Sequence, residues 1–250
     1  MIGKTKKFTE RGAAVFLAGL CSLAYFTSYV SRYTFTVCVS ELTSPSVGLI
    51  TDGDAGLICM MLFIFYGCGQ LLSGVLGDWV RAEYLVCIGI AGAEACNLIL
   101  PFIIGSPAAV AVLWACHGLI QSMFWPPLVK IVSEHLPRKY FGGSTLAVSI
   151  AAHVGNIVLY LLSAFFIGRV GDWHAVFNFA AVLCAVVLTL WMLGFLYFRK
   201  KAPKIEKEAP APAKTDEKSA AEKQGRLSYA FLTSGFMLLV VGIILQGALK

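Results

Sequence analysis

Tyr25, Tyr29 and Arg32 stand at i, i+4 and i+7 of a long apolar run, and at about 100° per residue they share one face of a helix. An arginine at bilayer depth costs several kcal/mol unless it faces a wet cavity or a partner. The alternative is snorkelling to the outer interface; the two tyrosines on the same face point to a cavity. A second stripe, Ser149, His153, Asn156, Tyr160 and Ser163, follows the same helical spacing in an otherwise apolar, small-residue stretch. Histidine is the side chain best suited to donate to an anion or carry a proton under physiological conditions, which makes His153 the candidate for function on this stripe. The serines are expected to hydrogen-bond between helices. Shorter polar faces occur at Tyr66, Gln70 and Ser73, and at His117, Gln121 and Trp125. Glu94 and Asn97 interrupt another apolar run, with Glu94 protonated, paired with a basic residue, or part of a proton path. The chemistry on offer is the binding of a small anion, or proton transfer, inside a membrane.

Such residues need apolar elements to position them, and the composition supplies them. Of 250 residues, 58% are hydrophobic and only 14% charged, against about 25% charged in soluble domains. Apolar runs occur at roughly 12–38, 55–76, 84–104, 107–129, 142–167, 175–198 and 228–249, each close to the roughly 20 residues a bilayer crossing needs. The first is too long, with a tail too rich in Tyr and Arg, for a cleavable signal peptide. Pro126 and Pro127 must distort the fourth run, because proline removes amide donors. Gly69, Ser73 and Gly77 form a small-residue row for close helix contact. The sixth run is nearly free of polar residues, Asn178 excepted, and is expected to face lipid or support the others from outside. The eight cysteines all lie in apolar stretches at no metal-binding spacing, and read as small packing residues.

Basic residues alternate with the runs. Lys4, Lys6, Lys7 and Arg11 precede the first, Arg81 follows the second, Lys130, Arg138 and Lys139 lie between the fourth and fifth, and many more fall in 199–227. The intervening loops carry only Arg169. The positive-inside rule places the N-terminus in the cytoplasm, so the formal charge of +6 is a topology signal, with weak attraction to anionic lipid, and not the mark of a nucleic-acid partner. Residues 199–227, rich in Lys, Glu, Ala and Pro, lack the apolar surface to order themselves and read as a disordered cytoplasmic linker. The reading is an all-α membrane protein: a six-helix bundle over 1–198, the linker, and a seventh transmembrane helix over 228–250. No phosphate-binding loop, HExxH site, nucleophile elbow or paired carboxylates occur, which points away from an enzyme and gives no reason to expect a cofactor or metal.

Several of these residues fall into a known pattern. Gly118-x-x-Gln121-x-Met123-x-Trp125-Pro126-Pro127, then Gly142-Gly143 and His153, together with the Tyr25, Tyr29 and Arg32 face, Phe65-Tyr66-Gly67 and Asp172-Trp173-His174, follow one another in the order found in a major facilitator superfamily transporter. Over about residues 12–198 the chain resembles the N-terminal half of such a protein, and is most similar to the organophosphate:phosphate antiporters of glycerol 3-phosphate and hexose phosphates. The resemblance implies a multi-pass plasma-membrane transporter that exchanges a phosphate ester for inorganic phosphate by alternating access. It also implies that Arg32, with an arginine of a seventh helix, binds the phosphate while His153 assists. Lys250 is the candidate on the seventh-helix side. Tyr25, Tyr29, Gln70, Gln121, Trp125 and Asn156 are the further expected substrate contacts, and Glu94 and His153 the expected proton-coupling groups. Gly74-x-x-x-Asp78 is similar to the superfamily's loop motif, with Trp79 where a basic residue is usual, so Asp78 and Arg81 are the expected gate, ordinary loop charges being the alternative. Gln70 replaces the lysine of glycerol-3-phosphate transporters and removes one positive charge. Proton-coupled carriage of a carboxylate or sugar acid, and sugar-phosphate sensing without flux, are the competing activities. Six helices, a linker and one more helix resemble the first part of a twelve-helix transporter, whose C-terminal bundle is expected in cis.

Overall fold

The computed structural model describes residues 8–202, so the linker beyond 202, the seventh apolar run and Lys250 lie outside the described residues. Seven α-helices follow: α1 Glu10–Leu42, α2 Asp52–Trp79, α3 Ala82–Ile103, α4 Pro107–Gln121, α5 Trp125–His135, α6 Arg138–Phe165 and α7 His174–Lys201. With α4 and α5 taken as one broken crossing, six spans are long and apolar enough to traverse a membrane.

The helix ends have local causes. Thr9 caps α1 by accepting from Gly12 N at 3.1 Å. Thr51 and Asp54 form a reciprocal capping box on α2, Asp54 N donating to Thr51 Oγ1 at 3.2 Å and Thr51 N to Asp54 Oδ2 at 3.0 Å, which satisfies two amides the first turn leaves unpaired. The fourth apolar run breaks outright at 122–124, with Pro126 and Pro127 in the first turn of α5. There the missing amide donors cost nothing. α6 runs into one π-helical turn, Phe166–Val170, which ends on Gly171 at φ +71°. Asp172 then accepts from His174 N at 2.9 Å while Trp173 is buried, so the Asp172-Trp173-His174 motif closes the start of α7.

Two contacts need glycine. A Cβ on Gly118 of α4 would meet the Leu62 carbonyl of α2, and a Cβ on Gly155 of α6 would lie 2.6 Å from the Phe26 carbonyl of α1. Gly69 of α2 similarly faces Ser122, in keeping with the small-residue row expected there; the surroundings of Gly77, the last of that row, lie outside the described part of the structure. These approaches pair α2 with α4 and α1 with α6 at backbone contact.

The buried apolar residues fall into two clusters. One gathers Leu17, Val86, Phe124, Leu128, Trp191 and Phe195 toward the N-terminal end of α1. The other gathers Phe35, Ile58, Leu100, Trp114, Leu159 and Phe177 toward its C-terminal end. Between them lies a buried polar layer of Ser28, Ser31, Thr34, Asn97, His117 and Gln121. α7 packs on α1 and α3 and turns Val182, Val186, Leu190 and Leu193 outward, which is the supporting, lipid-facing place expected for the sixth run. Of the cysteines, Cys21, Cys38, Cys96 and Cys184 are buried, whereas Cys68 and Cys116 are exposed; packing does not account for those two.

Candidate anion-binding site

The α1 helix carries Arg32 into the level of the polar layer, where the residue is only 4% exposed. Its guanidinium carbon lies 4.7 Å from the ring centre of Tyr29 and 4.3 Å from that of Tyr66 on α2. Arg32 therefore does not snorkel; it is held by two aromatic rings. Its Nε and Nη2 are buried and have no hydrogen-bond partner, and the ion pairs among the described residues do not include it. Two cation–π contacts, each worth about 2 kcal/mol or more when desolvated, offset part of the several kcal/mol that burying a charge costs, and they supply no acceptor for its donors. The site is therefore short of negative charge, and the two free donors form one side-on edge that fits two oxygens of a single oxyanion.

Aromatic residues extend from this point. Tyr25 meets Tyr29 edge-on at 5.1 Å and Trp125 at 5.3 Å, and Tyr29 is 6.1 Å from Tyr33. The exposed ring of His153 on α6 comes within 6.2 Å of Tyr29. Arg32, Tyr25, Tyr29, Trp125 and His153 are thus brought together from α1, α5 and α6. Asn156, half-buried on α6, keeps Oδ1 buried and unpartnered. Gln70, half-buried, lies one turn beyond Tyr66 on α2.

Other expected contacts are placed differently. Gln121 is fully buried and engaged: its Oε1 accepts from Ser28 Oγ at 2.7 Å, while its Nε2 lies 2.9 Å from His117 Nε2 and 3.4 Å from Ser31 Oγ. It knits α1 to α4, and its amide is not free for a substrate. Arg81 pairs with Glu83 at the start of α3 and lies over Tyr84 at 5.5 Å; the side chain of Asp78, its expected gate partner, lies outside the described residues. Glu94 is half-buried, without an ion-pair partner among the described residues. The stripe serines do not bridge helices: Ser149 donates to Thr145 O at 3.0 Å and Ser163 to Tyr160 O at 2.9 Å. A serine within a helix can spend its hydroxyl on a carbonyl of its own preceding turn, and these two do.

In the sequence Tyr66 is one member of a polar face, and Ser28, Ser31 and Thr34 are not marked as functional. The spacing of these three, every third residue of α1, was the available signal. Small hydroxyls among apolar residues are also what close helix packing selects, and that masked it.

The Major Facilitator Superfamily model matches residues 21–249. The membrane sensor protein UhpC of Salmonella typhimurium is 28% identical over 57% of this chain and 31% of its own. A probable hexose phosphate transport protein of Chlamydia pneumoniae is 24% identical over 65% of this chain and 35% of its own. The aligned part of this chain thus spans about a third of the length of those curated relatives. Among solved structures, a peptide transporter, POT, crystallised as its E310Q mutant with sulfate, superposes at a TM-score of 0.59 with 19% identity, covering 92% of this chain and 50% of that one. That likeness bears on the fold.

Proposed function

Given that the chain belongs to the Major Facilitator Superfamily, we propose that the six membrane spans of its described residues form the anion-binding half of a secondary active transporter for a small organic phosphate. The phosphate ester exchanges for inorganic phosphate by alternating access between two bundles. The observation that carries this reading is the buried, uncompensated Nε and Nη2 edge of Arg32 between Tyr29 and Tyr66. In a site sheltered from water, the phosphoryl group supplies the negative charge that the protein withholds. Tyr25, Trp125, His153 and Asn156 line the path of the organic part, with His153 as a second donor. The protein is multi-pass, placed in the plasma membrane with a cytoplasmic N-terminus, in keeping with the distribution of Lys and Arg. A C-terminal bundle in cis completes the transporter, and no cofactor or chemical transformation takes part.

The experiment is uptake and counterflow of labelled inorganic phosphate and glycerol 3-phosphate by the full-length protein in vesicles. Arg32→Ala abolishes both; uptake that survives it refutes the assignment of the site. The similarity to a membrane sensor protein supports a second reading, sugar-phosphate sensing by the same site, which predicts Arg32-dependent binding without flux. A proton-coupled carboxylate carrier, favoured by Glu94, which has no ion-pair partner among the described residues, predicts uptake driven by a pH gradient.

A further inference from the structure

Asn97 is buried at 0% exposure on α3, where the two apolar clusters meet. Its side chain grips α1 on both sides of Arg32. Nδ2 donates to Ser31 Oγ at 2.8 Å and to the Ala93 carbonyl of its own helix at 2.9 Å, and Oδ1 accepts from Thr34 Oγ1 at 2.7 Å. Thr34 Oγ1 also lies 3.0 Å from the Ser31 carbonyl. Ser31 Oγ is further approached by His117 Nε2 at 3.3 Å and Gln121 Nε2 at 3.4 Å from α4, and Ser28 reaches Gln121 one turn earlier. Three helices are thus joined through the residue next to Arg32.

We propose that Asn97 is a positioning residue for anion binding: by holding Ser31 and Thr34, it fixes the rotation of α1 that aims the Arg32 edge into the site. Apolar side chains pack without strong directional preference and let a helix turn about its axis, whereas hydrogen bonds at fixed lengths and angles do not. A turn of about 20° moves the rim of a helix by about 2 Å. A bound group must be held within about 0.5 Å of its productive geometry, so such a turn breaks the side-on contact while leaving the bundle folded. The two-point grip on Ser31 and Thr34 distinguishes Asn97 from a residue that merely satisfies its own amide.

This inference rests on the phosphate-site reading, and a double-mutant cycle separates the two. Inorganic phosphate binding to the purified full-length protein is measured for Asn97→Ala, Arg32→Lys, the pair of these, and Arg32→Ala, with the melting temperature recorded for each. If Asn97 acts through the Arg32 edge, Asn97→Ala weakens binding by about tenfold or more. The same change made in the Arg32→Lys background, which keeps the charge and has no edge to aim, has little further effect, since coupled residues are not additive. Thr34→Val, which removes one of the two holds, falls between wild type and Asn97→Ala, and reports the effect should Asn97→Ala fail to fold. Weakening that recurs in full in the Arg32→Lys background, or a lower melting temperature with unchanged affinity, overturns the proposal and leaves the site reading standing. Phosphate binding that survives Arg32→Ala overturns the site reading itself.

Discussion

Replacing Arg32 by lysine separates charge from shape at the proposed site. The positive charge stays, and an ammonium between Tyr29 and Tyr66 still profits from both ring faces, which lie 4.7 and 4.3 Å from the guanidinium carbon. What disappears is the pair of parallel N–H donors on the Nε and Nη2 edge, because an ammonium is a point charge with no fixed fork. At least one charge-assisted hydrogen bond is lost, worth about 1.5–3 kcal/mol, and each 1.4 kcal/mol is about tenfold in affinity. Arg32→Lys therefore weakens inorganic phosphate binding by about tenfold to a hundredfold, whereas Arg32→Ala removes it. Isothermal titration of the purified full-length protein measures both, and the melting temperature of each variant confirms that the bundle is folded. An Arg32→Lys protein that binds phosphate within about twofold of wild type would falsify the side-on geometry and reduce the site to a diffuse positive field.

Further outcomes follow from the packing and the caps. Gly118→Ala drives a methyl into the Leu62 carbonyl, and overpacking of this kind costs about 1–3 kcal/mol; its thermal melt in detergent falls below that of wild type, and an unchanged melt means that the α2–α4 contact is looser than described. Thr51→Ala opens the capping box of α2 and costs about 1 kcal/mol, seen as a lower melting temperature with phosphate affinity unaltered. Ser163→Ala removes a bond to a carbonyl of the same helix, so stability and affinity both stay near wild type; a clear loss of either would show that Ser163 faces the substrate. Glu94→Gln leaves phosphate counterflow intact under the phosphate-exchange reading. It abolishes pH-driven uptake if the protein is instead a proton-coupled carrier.

How much could be read in advance depended on whether a feature was local. The crossings and the break at Pro126 and Pro127 were legible because apolar length and the loss of amide donors act within a few residues. The shared face of Tyr25, Tyr29 and Arg32 was legible for the same reason, since one helix fixes it. What joins helices was not. Gln121 sits on the same face of its run as His117, and both looked like cavity residues; only the arrival of Ser28 and Ser31 from α1 turns that face inward. Tyr66 stood out no more than its neighbours until α2 was placed beside α1, because the partner of a buried guanidinium is selected by distance across the bundle, which periodicity within one run does not encode.

The identity of that partner bears on function. A carboxylate beside Arg32 would stabilise the charge better than two rings, but it would do so by accepting hydrogen bonds at the donor edge, where a substrate oxyanion must bind, and a phosphate would have to displace it. Aromatic rings interact with a cation through their faces and accept no strong hydrogen bond from the edge. Tyr29 and Tyr66 thus hold the guanidinium in place while Nε and Nη2 stay unpartnered. The polar layer behind Arg32 is consistent with the same requirement: the amides of Asn97 and Gln121 bond the hydroxyls of α1, and Gln121 also meets His117, so neither amide draws the guanidinium backward. Under the proposed function, a buried arginine that is held without being neutralised suits exchange, because the stabilisation that an internal counter-ion would supply is left for each successive anion to supply as it binds.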